Sequence, residues 1–231
     1  MTEIWLALMI GNSRLHWAEF SGETLLKTWH SAHGILPERS SYSLYFASVV
    51  PAQTRLLLNH FPQAQEITLD NVPLKNLYPT LGIDRALAVW GAGEKYGFPC
   101  LVIDGGTALT FSAVAGDRRF MGGAILPGLS LQFRTLSQGT AKLPKVDFPE
   151  TLPTRWAMNT EGAIASGILH TVLAGVEHFI QDWRQQFPTR AIILTGGDGE
   201  WLKQNLQRHN LSFFYEPELI FLALQSIKNH V

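Results

Sequence analysis

The stretch Leu81-Gly82-Ile83-Asp84-Arg85 sets a carboxylate beside a guanidinium, directly before the helical pattern of Leu87–Tyr96. An Asp at a helix start is most simply an N-cap. An Arg there is less expected, because its charge opposes the helix dipole. The pair has a second reading. The carboxylate can take a proton from an alcohol while the guanidinium holds an anionic group of the same substrate in a fork. A second candidate is Asp104-Gly105-Gly106-Thr107, which closes the apolar run Leu101–Ile103. Its glycines let backbone N–H groups approach an anion, Thr107 adds a hydroxyl donor, and Asp104 can reach a cation that accompanies phosphates. The competing reading is a hairpin turn whose Asp bonds its own backbone.

Both candidates need elements to hold them. Ile4–Ile10, Arg14–Phe20, Leu25–His30 and Tyr42–Val50 read as strands, Ala52–Phe61 as a helix and Ala64–Leu69 as another strand. That order implies a mixed sheet with helices on its faces. Further on, Gly162–Ile180 reads as a long helix and Glu218–Lys228 as a terminal one. Leu8–Gly22 aligns without a gap on Ile103–Asp117, so that Met9 faces Asp104, Gly11 faces Gly106 and Asn12 faces Thr107. Both stretches are strand, glycine turn, strand, turn. This is a weak internal repeat. Two related halves, 1–100 and 101–231, would then offer a phosphate-binding turn on each wall of a cleft. Two more glycine segments follow. Gly122-Gly123 and Pro127-Gly128 bracket a short apolar run. Gly196-Gly197, with Asp198, ends the strand after Arg190 in a turn that can lie flat against a purine or ribose, or is a plain strand-to-helix loop.

Composition excludes several classes. The 231 residues carry a net charge of −1 and a pI near 6.7, so no basic field points to nucleic acid or a membrane. The one cysteine, Cys100, excludes an internal disulfide and fits a reducing, cytoplasmic setting. The N-terminus lacks a basic segment, and its apolar stretch is too short to span a membrane, so it reads as a core strand and not a signal peptide. The eight histidines, at 16, 30, 33, 60, 170, 178, 209 and 230, show no zinc-ligand spacing. No P-loop and no dinucleotide fingerprint occurs.

Taken in order, MIGNSR, LGIDR, DGGTALT, GGAILPG and NTEGAIASG resemble the five motifs of the type III pantothenate kinases, within the acetate kinase/actin/Hsp70-like ATPase superfamily. The likeness covers nearly the whole chain. It implies an α/β fold of two actin-like (ribonuclease H-like) domains, each a mixed sheet flanked by helices, with a cleft between them. It implies phosphorylation of the primary hydroxyl of pantothenate by ATP with Mg²⁺, the first step toward coenzyme A, in a cytoplasmic homodimer whose substrate pocket is completed across the interface. By the same resemblance Asp84 is the proton acceptor. Gly82, Ile83, Arg85, Thr160 and Tyr78 contact pantothenate, the last with an irregular spacing in LYPTLG. The hairpin Met9, Ile10, Gly11, Asn12, Ser13, Arg14, Leu15 and His16 holds ATP, together with Thr107, Gly196 and Gly197. Asp104 is the ligand of a monovalent cation, K⁺ or NH₄⁺.

Met9 departs from the family pattern, which has an Asp there to help place Mg²⁺. A thioether does not serve a hard cation. Arg14 can offset the lost neutralisation, and Mg²⁺ would rest on ATP phosphates, water, Asp104 or another carboxylate. Restoring the carboxylate by Met9→Asp strengthens Mg-ATP use if the hairpin cradles phosphates, or destabilises the fold if Met9 is packed in an apolar pocket. The alternative function is a nucleotide-binding regulatory protein of the same fold with weak or lost kinase activity.

Overall fold

The computed structural model describes residues 3–38, 42–207 and 211–228, so His209 and His230 lie outside the described residues. The chain divides into two compact units. One comprises the chain up to Gly97, Val114–Met121 and the chain from Glu218; the other comprises Phe98–Ala113 and Gly122–Pro217.

In the first unit, β1 (Ile4–Ile10) is apolar at every position because it lies inside a five-stranded sheet. It pairs antiparallel with β2 (Leu15–Ser21), which pairs with β3 (Thr24–Ser31). On its other edge it pairs parallel with β4 (Ser43–Ser48), followed by β5 (Gln65–Glu66). The sheet order is β3-β2-β1-β4-β5. Successive strand residues face opposite sides. Leu6, Leu8 and Ile10 join Leu44, Phe46 and, from α1 (Pro51–His60), Leu57 in one core. Trp5, Ala7 and Met9 face the other side. There α2 (Ile83–Tyr96) packs on α6 (Leu219–Lys228), and Lys228 Nζ lies 4.7 Å from the Trp5 ring. The two helices meet at Gly91, where a Cβ would collide with the Leu219 carbonyl oxygen and lie 3.3 Å from Ala223 N.

The second sheet comprises β6 (Cys100–Gly105), β7 (Ala108–Val114), β8 (Phe120–Pro127), β9 (Ala191–Thr195) and β10 (Phe214–Tyr215), ordered β10-β9-β6-β7-β8; it belongs to the second unit except for Val114, Phe120 and Met121, which count with the first. Read from β8, this is the first sheet's order again. Met9 and Asp104 are each the penultimate residue of the matched central strand. Met9 pairs with Ala47 of β4, and Asp104 with Thr195 of β9. The gapless sequence alignment is thus a structural correspondence. Helices α3 (Leu129–Gly139), α4 (Thr160–Gln186) and α5 (Gly199–Leu206) cover this sheet, and Ile168, Leu169, Val172 and Val176 of α4 fill its core.

Several boundaries differ from the sequence reading, and three of the differences have clear local causes. The strand expected at Ala64–Leu69 is only Gln65–Glu66, because Thr68 and Asn71 form a capping box around a 3₁₀ turn at Leu69–Asn71. Helix α2 starts at Ile83, so Asp84 and Arg85 lie inside it and not before it. Helix α4 starts at Thr160, where the Asn159 side chain accepts from Gly162 N at 2.7 Å.

Candidate active site

The N-terminus of α2 is built around a missing side chain. Gly82 is its N-cap, at φ −61° and ψ 132°, which corrects the reading of Asp84 as the cap. Asp84 instead sits in the first turn and folds back. Its Oδ1 accepts from Arg85 N at 2.9 Å, and a Cβ on Gly82 would collide with that same oxygen. Burial pushes the Asp84 carboxyl above its ordinary range, against the opposing pull of the Arg85 N–H and the Arg85 charge. A carboxylate poorly solvated in its charged form is a stronger proton acceptor.

Arg85 is only 6% exposed. Its Nη1 donates to Tyr78 Oη at 2.9 Å, and its Cζ lies 5.8 Å from the centre of the Phe120 ring. The Tyr78 and Phe120 rings are 6.0 Å apart. The structure therefore brings Tyr78, Gly82, Ile83, Asp84 and Arg85 together. It adds Phe120, which no local sequence signal marks. Phe120 arrives through backbone pairing: Phe120 N donates to Lys75 O, and Lys75 N donates to Arg118 O, both at 2.9 Å. An open groove of about 630 Å³ leads to the same helix start, running from Ser48 and Val49 past Arg55 and Glu66 to Gly82 and Ile83.

The first hairpin also belongs to this unit. Ile10 pairs with Leu15, Gly11 N donates to Arg14 O at 3.1 Å, and Asn12, Ser13 and Arg14 are exposed at the tip. Met9 is 4% exposed and pairs across the sheet with His16. The His16 ring lies edge-on to His30 with centroids 4.5 Å apart. Burial first, then the charges of His30 and Arg14, lowers the His16 pKa to about 4. His16 is thus neutral at pH 7, and the charge near the hairpin tip comes from Arg14. His33 Nε2 lies 2.8 Å from Gly11 O and braces the turn.

The second unit gathers Asp104, Gly105, Gly106 and Thr107 against Gly196 and Gly197. Gly196 has φ +85°, and a Cβ on it would collide with Asp104 Oδ1 and lie 2.5 Å from Gly105 O. Only glycine fits there. Asp198 N donates to Gly105 O at 2.7 Å, which fastens the two turns. Among the described residues no group of three or more His, Cys, Asp or Glu could enclose a metal. What Asp104 provides is a hard oxygen on a glycine turn. That chemistry suits K⁺ or a magnesium already held by phosphates, whereas buried Met9 suits neither. Thr160 is exposed in the first turn of α4, two residues beyond Met158, which is 100% exposed, and near Trp156, which is 87% exposed.

Gly128 supports the Gly106–Thr107 turn from below. Its N donates to Thr107 O at 2.9 Å, and a Cβ on it would collide with Gly106 O and lie 2.8 Å from Thr107 O. Its φ of −63° is ordinary, so the constraint is purely steric. Gly128→Ala should destabilise the fold by about 1–3 kcal/mol, the usual cost of overpacking. If the turn holds ATP, as the resemblance implies, KM for ATP should rise with little change in KM for the phosphate acceptor. Steady-state kinetics with each substrate varied in turn, beside a thermal melt, checks this. An unchanged ATP KM would mean the turn does not touch nucleotide.

A family model described as type III pantothenate kinase matches residues 5–182. A type III pantothenate kinase of Synechocystis sp. is 47% identical, over 96% of this chain and 90% of its own length. Among solved structures, a Campylobacter jejuni protein described as a Baf family transcriptional activator superposes with a TM-score of 0.64 at 22% identity, covering 97% of each chain. The activator of 2-hydroxyisocaproyl-CoA dehydratase from Clostridium difficile, solved with ADPNP, gives 0.53 at 10% identity, covering 98% of this chain and 96% of its own. These two likenesses concern the fold alone. With the duplicated strand order they identify it as actin-like: α/β, with two mixed sheets flanked by helices.

Proposed function

The chain belongs to the type III pantothenate kinase family, and from that premise we infer how its own residues carry out the reaction. The protein is a kinase that phosphorylates pantothenate with ATP, giving 4′-phosphopantothenate and ADP, on the route to coenzyme A. The observation that carries the residue assignment is the start of α2, where a desolvated carboxylate and a buried guanidinium are held side by side. Asp84 accepts the proton of the pantothenate primary hydroxyl as that oxygen bonds to the γ-phosphorus and the bond to ADP breaks. Arg85 holds an anionic or polar group of pantothenate, with Gly82, Ile83 and Tyr78 lining the same place. The groove of about 630 Å³ that reaches Gly82 and Ile83 accommodates the rest of an extended, polar acyclic molecule.

The Gly11–Arg14, Gly106–Thr107 and Gly196-Gly197 turns hold ATP, and Arg14 supplies charge. Phosphoryl transfer rests mainly on positioning and neutralisation. Magnesium with ATP supplies the neutralisation, and Asp104 is the residue that would hold the monovalent cation, K⁺ or NH₄⁺. The likeness to the family supports a homodimer in which Thr160 contacts pantothenate. The exposed Trp156 and Met158 beside Thr160 are apolar surface of the kind that interfaces cover. A cytoplasmic location fits the use of ATP and the buried Cys100 thiol, which burial pushes up to about 12. The regulator reading is not favoured, because relatives that span nearly the whole chain are kinases by name.

ADP release with and without pantothenate, in K⁺, NH₄⁺ and Na⁺ buffers, tests the assignment. We expect pantothenate-dependent release in K⁺ or NH₄⁺ and poor release in Na⁺. Folded protein with no pantothenate-dependent release in K⁺ would overturn the reaction. Equal rates in Na⁺ and K⁺ would remove Asp104 as a cation ligand and leave the reaction standing.

A further inference from the structure

We propose that Phe120 is a positioning residue for this reaction: its ring face, together with the Tyr78 hydroxyl, sets the plane in which the Arg85 guanidinium meets pantothenate. The inference rests on the function assigned above. A guanidinium at 6% exposure has lost most of its water and must be oriented by protein. Tyr78 Oη accepts one of its N–H groups at 2.9 Å. The Arg85 Cζ lies over the Phe120 ring, 5.8 Å from its centre, within the range where a cation is drawn to an aromatic quadrupole. A hydrogen bond to one nitrogen and an aromatic ring under the cation together restrict both the direction and the tilt of the group.

Phe120 is the stiffer of the two aromatics. It is 2% exposed, against 41% for Tyr78. Its backbone is clipped at both ends of the residue: its N donates to Lys75 O at 2.9 Å, and its O accepts from Asn76 Nδ2 at 3.5 Å. The same clip draws in the 75–78 segment that carries Tyr78, so both contacts on Arg85 come from one local assembly. A Leu at 120 would largely fill the volume but would offer no π face.

The test measures KM for pantothenate, KM for ATP, kcat and thermal melting for Phe120→Leu and Phe120→Tyr. A graded series with mono-, di- and trifluorophenylalanine at position 120 weakens the ring's negative face at almost constant size. Phe120→Leu should raise KM for pantothenate roughly 3- to 20-fold, with kcat and KM for ATP within about twofold of wild type. Phe120→Tyr should restore wild-type behaviour, and the fluorinated series should raise KM step by step without lowering the melting temperature. In an Arg85→Gln background, where no cation remains, Phe120→Leu should leave pantothenate affinity, read by calorimetry, almost unchanged. A flat fluorine series, or an equal loss in both backgrounds, overturns the proposal and makes Phe120 a packing residue. These outcomes are distinct from failure of the assigned reaction, in which wild-type protein itself neither binds nor turns over pantothenate.

Discussion

Asp84→Asn should lower kcat by about 10²–10⁴-fold, the usual worth of a general base, while the protein stays folded and still binds ATP. The change removes the proton acceptor and little else. Gly82, not Asp84, caps α2, so the helix start does not depend on the carboxylate. An amide oxygen can still accept from Arg85 N, as Asp84 Oδ1 does at 2.9 Å. The sign of the stability effect follows from the raised pKa of Asp84. Between its ordinary value and its raised one, the native state binds more protons than the unfolded state. The stability this group contributes is therefore present at low pH and lost as pH rises through the folded pKa. Burial makes the charged carboxylate costly to hold in the fold, so replacing it loses only its favourable interactions with the Arg85 charge and the helix dipole, the latter about 0.3–1 kcal/mol. In wild type, kcat/KM should fall as pH drops through a pKa lying above the usual carboxylate range. Steady-state rates from pH 4.5 to 8, with melting curves, check both parts. A variant that keeps most of its rate would end the assignment of Asp84 as base.

Met9→Asp should destabilise the fold by roughly 2–4 kcal/mol at pH 8, as expected when a carboxylate is buried without a partner. Of the two outcomes open from sequence, the 4% exposure of Met9 selects this one. The loss should shrink toward pH 6. His16 sits directly across from position 9 and is now neutral, with a pKa near 4. A carboxylate beside it would raise that pKa, and a raised histidine pKa contributes stability that is present at low pH and lost as pH rises through it. Melting temperatures of wild type and variant at pH 6 and pH 8 should therefore differ less at pH 6. A variant that melts like wild type at both values and has a lower KM for Mg-ATP would show that position 9 reaches the metal.

Much of the chemistry was legible in the chain because its signals are short. Glycine turns after apolar runs mark Gly11, Gly105-Gly106 and Gly196-Gly197, and each is a turn at a strand end. The gapless match of Leu8–Gly22 to Ile103–Asp117 pointed to a duplicated architecture, and the two sheets share one strand order. Such patterns survive in sequence because backbone conformation and strand period depend on near neighbours. The helix start at Ile83 was less legible. Gly82 is an unremarkable cap by residue type, and Asp84 is the better capping residue two positions on. Packing of the carboxylate over Gly82 decided between them.

Other features depended on residues far apart in the chain. Phe120 meets Arg85 only because the start of β8 pairs with Lys75, a register that no local pattern encodes. Met9 looked like a metal position with the wrong ligand. Its burial comes from the sheet around it and from the face it shares with Trp5 and Ala7. The sequence marks α6 only as a terminal helix, yet it packs on α2 and β1, and Glu218 at its start accepts from Thr28 Oγ1 at 2.9 Å across 190 residues. The chain thus carries in its order the turns, strands and candidate acids and bases. Which of those groups lose their water, and which side chains then hold them, depends on contacts between distant segments, because desolvation and orientation are properties of a surrounding and not of a residue.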